Sequence, residues 1–257
     1  MSDEEIVPDF IIGGAPRSGT TFLCQALDRH PGIYVAKPFI PEPKVLINPG
    51  KPRDHYIQLY RTFFAGAGRG RILGEKTSYY LESESACALI GEVAPRARLV
   101  FIVREPVARA YSNYLWSRQN GLEELSFEDA VALEGTRASP LPPEKAYARP
   151  YDYLIRGDYA TFAERYYRAF GRERVAFFLY EEITLHPEWL LRKVQEFIGA
   201  GAFRLQCEDL GLVNAARESG PPVDRSTEAA LRTRVTPWVR RFAAVTGVDV
   251  EPWGYPG

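Results

Sequence analysis

Apolar positions along this chain follow two rhythms: short unbroken runs, and longer stretches in which they recur at helical spacing. The first unbroken run, Phe10 to Gly13, reads as a buried strand that enters a turn from Gly14 to Gly19. From about Thr20 to Arg29 the residues Phe22, Leu23, Ala26 and Leu27 share one helical face, and His30-Pro31-Gly32 stops the helix. Ile33-Tyr34-Val35 is a short strand. The segment after it carries Pro38, Pro41, Pro43, Pro49 and Pro52, and so many missing N–H donors exclude regular structure. Helical spacing returns from Tyr56 to Phe64. Arg71 to Lys76 reads as a strand delivering a charged side chain to its end, Ser83 to Val93 as a helix, and Leu99 to Val103 as a strongly apolar strand. Pro106 suits the first residue of a helix running to about Asn120, because the N–H it lacks would be unpaired there. A second irregular stretch holds Pro140-Leu141-Pro142-Pro143 with Tyr147, Tyr151 and Tyr153. It precedes a helix over 159–170, a strand over 175–180, and helices over 187–198 and 227–246.

Strands alternating with helices predict an α/β fold. The expectation is one P-loop-like domain over residues 1–257, with a mainly parallel central sheet flanked by helices on both faces and joined by right-handed crossovers. Ligands of such sheets bind outside the carboxyl ends of the strands. The turn from Gly14 to Gly19, Lys76 and Arg104 all fall at such ends, which points to a single nucleotide site. The irregular stretches at about 36–65 and 136–156 are expected to wall the side of that site where a second substrate enters.

Composition narrows the class. The 257 residues are 46% hydrophobic and 25% charged, enough to bury one substantial core. The formal net charge is −1 and basic residues are scattered, so nothing suggests an electrostatic track for nucleic acid or for a polyanionic substrate. The opening Met1-Ser2-Asp3-Glu4-Glu5 is acidic and the apolar run after it is short. Neither a signal peptide nor a membrane anchor is expected, and a cytoplasmic location follows by default. Cys24, Cys87 and Cys207 are odd in number and widely separated, which favours reduced thiols over a zinc site or a disulfide framework.

The chemistry begins at Gly14-Ala15-Pro16-Arg17-Ser18-Gly19-Thr20-Thr21, which has the G-x-x-x-x-G spacing of a loop that cradles phosphate with backbone N–H groups at a helix start. Thr20 stands where ATPases and GTPases place the lysine that reaches the β- and γ-phosphates. The strand ending at Val103 leads into Arg104-Glu105-Pro106 and not into an aspartate placed to help hold Mg²⁺. Both absences argue for a nucleotide bound without metal, and against the alternative of a metabolite or nucleoside kinase using Mg-ATP.

Pro16-Arg17-Ser18-Gly19-Thr20-Thr21 and Val103-Arg104-Glu105-Pro106-Val107-Ala108-Arg109-Ala110-Tyr111-Ser112 together resemble the two nucleotide motifs of sulfotransferases that use 3′-phosphoadenosine 5′-phosphosulfate (PAPS). The resemblance spans roughly residues 9–220. It is to the bacterial type, with heparan-sulfotransferase-like motifs, and it implies sulfuryl transfer from PAPS to a hydroxyl with release of 3′-phosphoadenosine 5′-phosphate (PAP), without a required metal. Arg17, the N–H groups from Ser18 through Gly19 to Thr21, and the hydroxyls of Thr20 and Thr21 would take the 5′-phosphosulfate end; the family commonly has lysine at the Arg17 position. Arg104 and Ser112 would bind the 3′-phosphate, one at a strand end and the other about two helical turns later, so that both can face one anion.

The acceptor hydroxyl needs a base. Glu42 in Pro41-Glu42-Pro43-Lys44 resembles the glutamate of the family's Lys-Glu-Pro-His stretch, with Lys44 in the histidine position. His55 is the competing base, since cytosolic small-molecule sulfotransferases use histidine and an imidazole titrates near neutral pH. Gly74-Glu75-Lys76-Thr77-Ser78-Tyr79-Tyr80 resembles the family's Glu-Lys-Ser-Pro-x-Tyr segment, which implies that Lys76 reaches the sulfuryl group or the leaving phosphate; Ser78 stands where the family has proline. Arg156-Gly157-Asp158-Tyr159 resembles the Gly-x-Tyr segment beside the nucleotide, and Asn214 and Arg217 fall where the family closes over the 3′-phosphate and adenine. The aromatic and proline-rich, weakly charged acceptor stretches favour a small or medium metabolite or natural product over a polyanion.

Overall fold

The computed structural model describes residues 5–204, 220 and 222–255. The elements in chain order are β1 (Phe10–Gly14), α1 (Thr20–Asp28), β2 (Ile33–Val35), α2 (Arg53–Phe63), β3 (Ile72–Lys76), α3 (Glu84–Val93), β4 (Arg98–Val103), α4 (Pro106–Gln119), α5 (Phe127–Ala132), α6 (Tyr159–Phe170), β5 (Val175–Leu179), α7 (Glu182–Leu185), α8 (Pro187–Ile198) and α9 (Arg225–Thr246). The strands and longer helices fall where the apolar rhythm places them. The short α5 and α7 carry too few turns for that rhythm to register. The chain packs as two compact units, one of Met1–Ile102 with Arg165–Val213 and the other of Val103–Glu164 with Asn214–Gly257.

The first unit holds the sheet, in the order β2-β3-β1-β4-β5. β1 pairs in parallel with both β3 and β4, and β2 pairs in parallel with β3. Every residue of β1 is buried, as expected of a strand covered on both faces. Alternation assigns those faces. Phe10 and Ile12 of β1 and Val100 and Ile102 of β4 pack with Phe22, Leu23 and Leu27 of α1 and Leu190, Leu191 and Val194 of α8. On the opposite face Phe101 meets Tyr166 of α6 and Phe177 of β5, with ring centroids 4.7 Å and 5.1 Å apart. Glu75, opposite Ile11 in the register, meets Tyr60 of α2 on that same face. The chain leaves β1 toward one edge and leaves β3 toward the other, so the carboxyl ends of β1 and β3 open on the crevice where ligands of such sheets bind.

The second unit is helical. Pro106 opens α4, with the Glu105 carboxylate accepting from the Ala108 N–H at 2.6 Å, and the Ser126 hydroxyl caps α5 by accepting from the Asp129 N–H at 3.1 Å. Asp224 caps α9, whose Phe242 packs between Tyr159 and Trp253. Among the described residues no helix is long and apolar enough to cross a membrane.

Candidate functional site

The end of β1 is built around two glycines that cannot be replaced without strain. Gly14 has φ 152°, and a Cβ there would lie 2.7 Å from Leu81 Cβ and 2.8 Å from the Ser78 carbonyl oxygen. Gly19 has φ 80°, and its Cβ would lie 2.3 Å from Ile183 Cδ1. Between them Arg17 also takes a left-handed conformation, φ 68°, and is half-buried. Gly19 is the N-cap of α1 and offers no side-chain acceptor, so the first N–H groups of the helix point out of the turn without the cap that Ser or Asp would supply. Ser18 is fully buried, and its Oγ has no hydrogen-bond partner among the described residues. A desolvated hydroxyl in that state costs about 1–3 kcal/mol. An open helix start beside an orphaned hydroxyl is a cradle for an anion.

Across the crevice, β3 ends in Lys76, which is 3% exposed. Its Nζ donates to Glu42 Oε1 at 2.9 Å and to Thr21 Oγ1 at 3.4 Å, and so joins the proline-rich loop to the first turn of α1. Ser78 holds the same carboxylate twice, through its Oγ to Oε1 at 2.8 Å and its N–H to Oε2 at 3.2 Å. Proline at this position could supply neither bond. Glu42, Lys76 and Thr21, which the sequence singled out separately, are thus one connected constellation, and Ser78 joins it.

Lys44 lies beside it with φ 53°, its N–H donating to Thr77 Oγ1 at 3.0 Å and its ammonium 6.0 Å from the centroid of the Tyr79 ring. His55 sits exposed in the first turn of α2 with its ring edge-on to Tyr56, and the hydrogen bonds joining Glu42, Lys76, Ser78 and Thr21 do not include it. Glu75, the neighbour of Lys76, points to the other side of the sheet and is fully buried. Burial pushes its carboxyl up, opposed by hydrogen bonds from Tyr60, Tyr80 and Thr77. Apolar pattern alone misses this residue; the available signal is a charge inside a strand whose alternation turns it toward the core.

In the second unit Arg104 follows the end of β4 half-buried, and Ser112 is buried on α4. Tyr159 is 1% exposed and uses its hydroxyl on the Arg104 carbonyl at 2.8 Å, which fixes the backbone of that arginine. Asn214 and Arg217 lie outside the described residues.

A family model described as "Sulfotransferase domain" matches residues 7–212. A crystal structure of a sulfotransferase from Alicyclobacillus acidocaldarius is 27% identical, covers 96% of this chain and 99% of its own, and superposes with a TM-score of 0.78. The human bifunctional heparan sulfate N-deacetylase/N-sulfotransferase 3 is 29% identical over 208 residues, which are 75% of this chain and 22% of that protein. Mouse heparan sulfate glucosamine 3-O-sulfotransferase 3B1 is 25% identical over 265 residues, 95% of this chain and 64% of that protein. The chain therefore spans less than two thirds of these two curated relatives.

Proposed function

Since this chain belongs to the sulfotransferase domain family, a family of transferases, we propose that it moves a sulfuryl group from PAPS to a hydroxyl of a small or medium acceptor and releases PAP. The observation that carries the reading is the junction of Glu42, Lys76 and Thr21 at the open start of α1, because it brings a proton acceptor and a cation to a phosphate cradle. The partnerless Ser18 hydroxyl and the uncapped N–H groups fit the phosphosulfate end of the donor. We assign Arg104 and Ser112 to its 3′-phosphate.

When bound, PAPS supplies an activated sulfuryl group whose leaving group is a phosphate. The chain's residues then divide the task. Glu42 takes the proton of the acceptor hydroxyl as that oxygen bonds to sulfur, and Ser78 holds the carboxylate in place for it. Lys76, Arg17 and the N–H groups of the α1 start face the negative charge that collects on the leaving phosphate oxygen as its bond to sulfur breaks. Cationic charge from side chains fills the role that Mg²⁺ plays in kinases, so the reading requires no metal. Residues 1–257 act in it as one sulfotransferase domain, in keeping with a family match over residues 7–212 that takes in segments of both units.

For the acceptor we favour an uncharged or apolar metabolite. Ile40, two residues before Glu42, is 71% exposed, and the two lysines near it are engaged: Lys37 with Asp28 and the Phe39 ring, Lys44 beside Tyr79. The relatives named for heparan sulfate make a glycan the competing acceptor. Calorimetric titration with PAP, and separately with ATP and Mg²⁺, tests the donor assignment without knowledge of the acceptor. Preference for PAP in the absence of metal is expected, and preference for Mg-ATP would replace this reading with that of a kinase. Incubating the protein with labelled PAPS and either phenolic metabolites or heparan sulfate then tests the acceptor class.

A further inference from the structure

We infer that Glu75 is a positioning residue that holds the base loop from inside the core; the inference rests on the reading of Glu42 as the base. Two relays end on the same carboxylate oxygen. The Lys44 N–H donates to Thr77 Oγ1 at 3.0 Å, and that hydroxyl donates to Glu75 Oε1 at 2.8 Å. The Leu46 N–H donates to the Tyr80 hydroxyl at 2.8 Å, and that hydroxyl donates to Oε1 at 2.7 Å. Tyr60 donates to the other oxygen, Oε2.

Donor accounting fixes the direction of these chains. Each hydroxyl has a single proton, and with a backbone N–H already donating to its oxygen it must send that proton on to an acceptor. Glu75 is the acceptor for both, buried on all sides with no ion pair among the described residues. Without it, three hydroxyls, those of Thr77, Tyr80 and Tyr60, would be left in the core with protons and no acceptor, and the loop amides would lose their fixed partners. What the relays hold is the backbone two and four residues past Glu42, at a point where Lys44 takes a left-handed conformation that costs about 1–2 kcal/mol for a residue with a Cβ. β3 therefore acts on the base from both faces: Lys76 meets the carboxylate directly, and Glu75 anchors the loop that carries it.

The test uses the full chain and the variants Thr77→Val, Tyr80→Phe and Glu75→Gln, with Thr77→Ser as the conservative control. Amide exchange of peptides covering residues 42–48, read by mass spectrometry, should speed up at least about tenfold in Thr77→Val and Tyr80→Phe and stay near wild type in Thr77→Ser. In the sulfuryl transfer assay kcat should fall about tenfold or more in those two variants while PAP affinity stays within about twofold. Wild-type exchange at 42–48 in folded Thr77→Val and Tyr80→Phe would overturn the inference, whatever Glu75→Gln does to folding. So would equal losses in PAP affinity and kcat, which a merely structural role would give. If wild-type protein bound no PAP, the donor reading would fail on its own, and the exchange result would still decide whether Glu75 anchors the loop.

Discussion

Replacing Glu42 with glutamine separates proton transfer from the rest of the site. The amide keeps one carbonyl oxygen that can accept from Lys76 and from Ser78 Oγ, while its NH₂ group meets the Ser78 N–H, donor against donor, where Oε2 now accepts at 3.2 Å. Lys76 is left without a counter-charge at a position 3% exposed. Losing a buried pair outright costs about 3–5 kcal/mol, and a retained carbonyl acceptor reduces the loss to about 1–3 kcal/mol. A domain stable by about 5–15 kcal/mol still folds. Catalysis should fall much further: removing a general base lowers kcat about 10²–10⁴-fold, a barrier increase of about 3–5 kcal/mol. The assay is kcat with labelled PAPS and a saturating acceptor, paired with PAP calorimetry to confirm that the donor site survives. His55→Ala, in an exposed turn of α2, should leave kcat within about twofold. Full kcat in folded Glu42→Gln, or loss of kcat in His55→Ala, would refute the assignment of the base.

Ser18→Ala should have opposite effects on folding and binding. Removing the orphaned hydroxyl stabilises the ligand-free protein by about 1 kcal/mol, worth about 2–4 °C in Tm, and weakens PAP binding in the same preparation. Arg104→Ala should cost about 1.5–3 kcal/mol of PAP affinity by calorimetry, and an unchanged Kd would remove Arg104 from the 3′-phosphate site. Acid stability should depend on Glu123. Burial alone would raise its carboxyl, but hydrogen bonds from Arg137, Tyr153 and the Leu125 N–H outweigh that and hold it at about 2, against 4.5 when unfolded. The folded value is the lower one, so the stabilisation is complete above about pH 4.5 and is lost as pH falls toward 2. Its full size is about 3 kcal/mol, and Glu123→Gln should flatten the stability profile in that window as followed by chemical denaturation.

The sheet was legible because strands buried on both faces must be nearly all apolar, and Phe10 to Gly13 and Leu99 to Val103 have no other reading. The phosphate loop was legible because its backbone needs glycine at Gly14 and Gly19 whatever it binds. Lys76 and Glu42 were found one at a time, as a strand-end cation and a loop carboxylate. Their pairing was not legible, since nothing local records a contact made across 34 residues. The same holds for Ser78, which looked only like a departure from a motif and proves to hold the Glu42 carboxylate. Tyr159 sat in a motif beside the nucleotide, yet its hydroxyl serves the Arg104 backbone, a use that only the fold reveals.

The attachment of the proline-rich loop to Lys76 at the end of β3, and to Thr77 and Tyr80 just after it, divides that loop into fixed and variable parts. Residues 42–46 are pinned at one end by the carboxylate and further along by two amides, while Ile40 and Asn48 on either side are exposed. On the proposed function, exchanges at residues 38–41 are expected to change acceptor preference without moving Glu42. A graft that also replaces 42–46 must bring amides that meet Thr77 and Tyr80 in the same places. Strand register enforces the rule from the other side: sliding β3 by one residue would turn Lys76 into the tyrosine-lined core and Glu75 into the anion cradle. On the same reading, acceptor preference varies around a fixed segment of five residues.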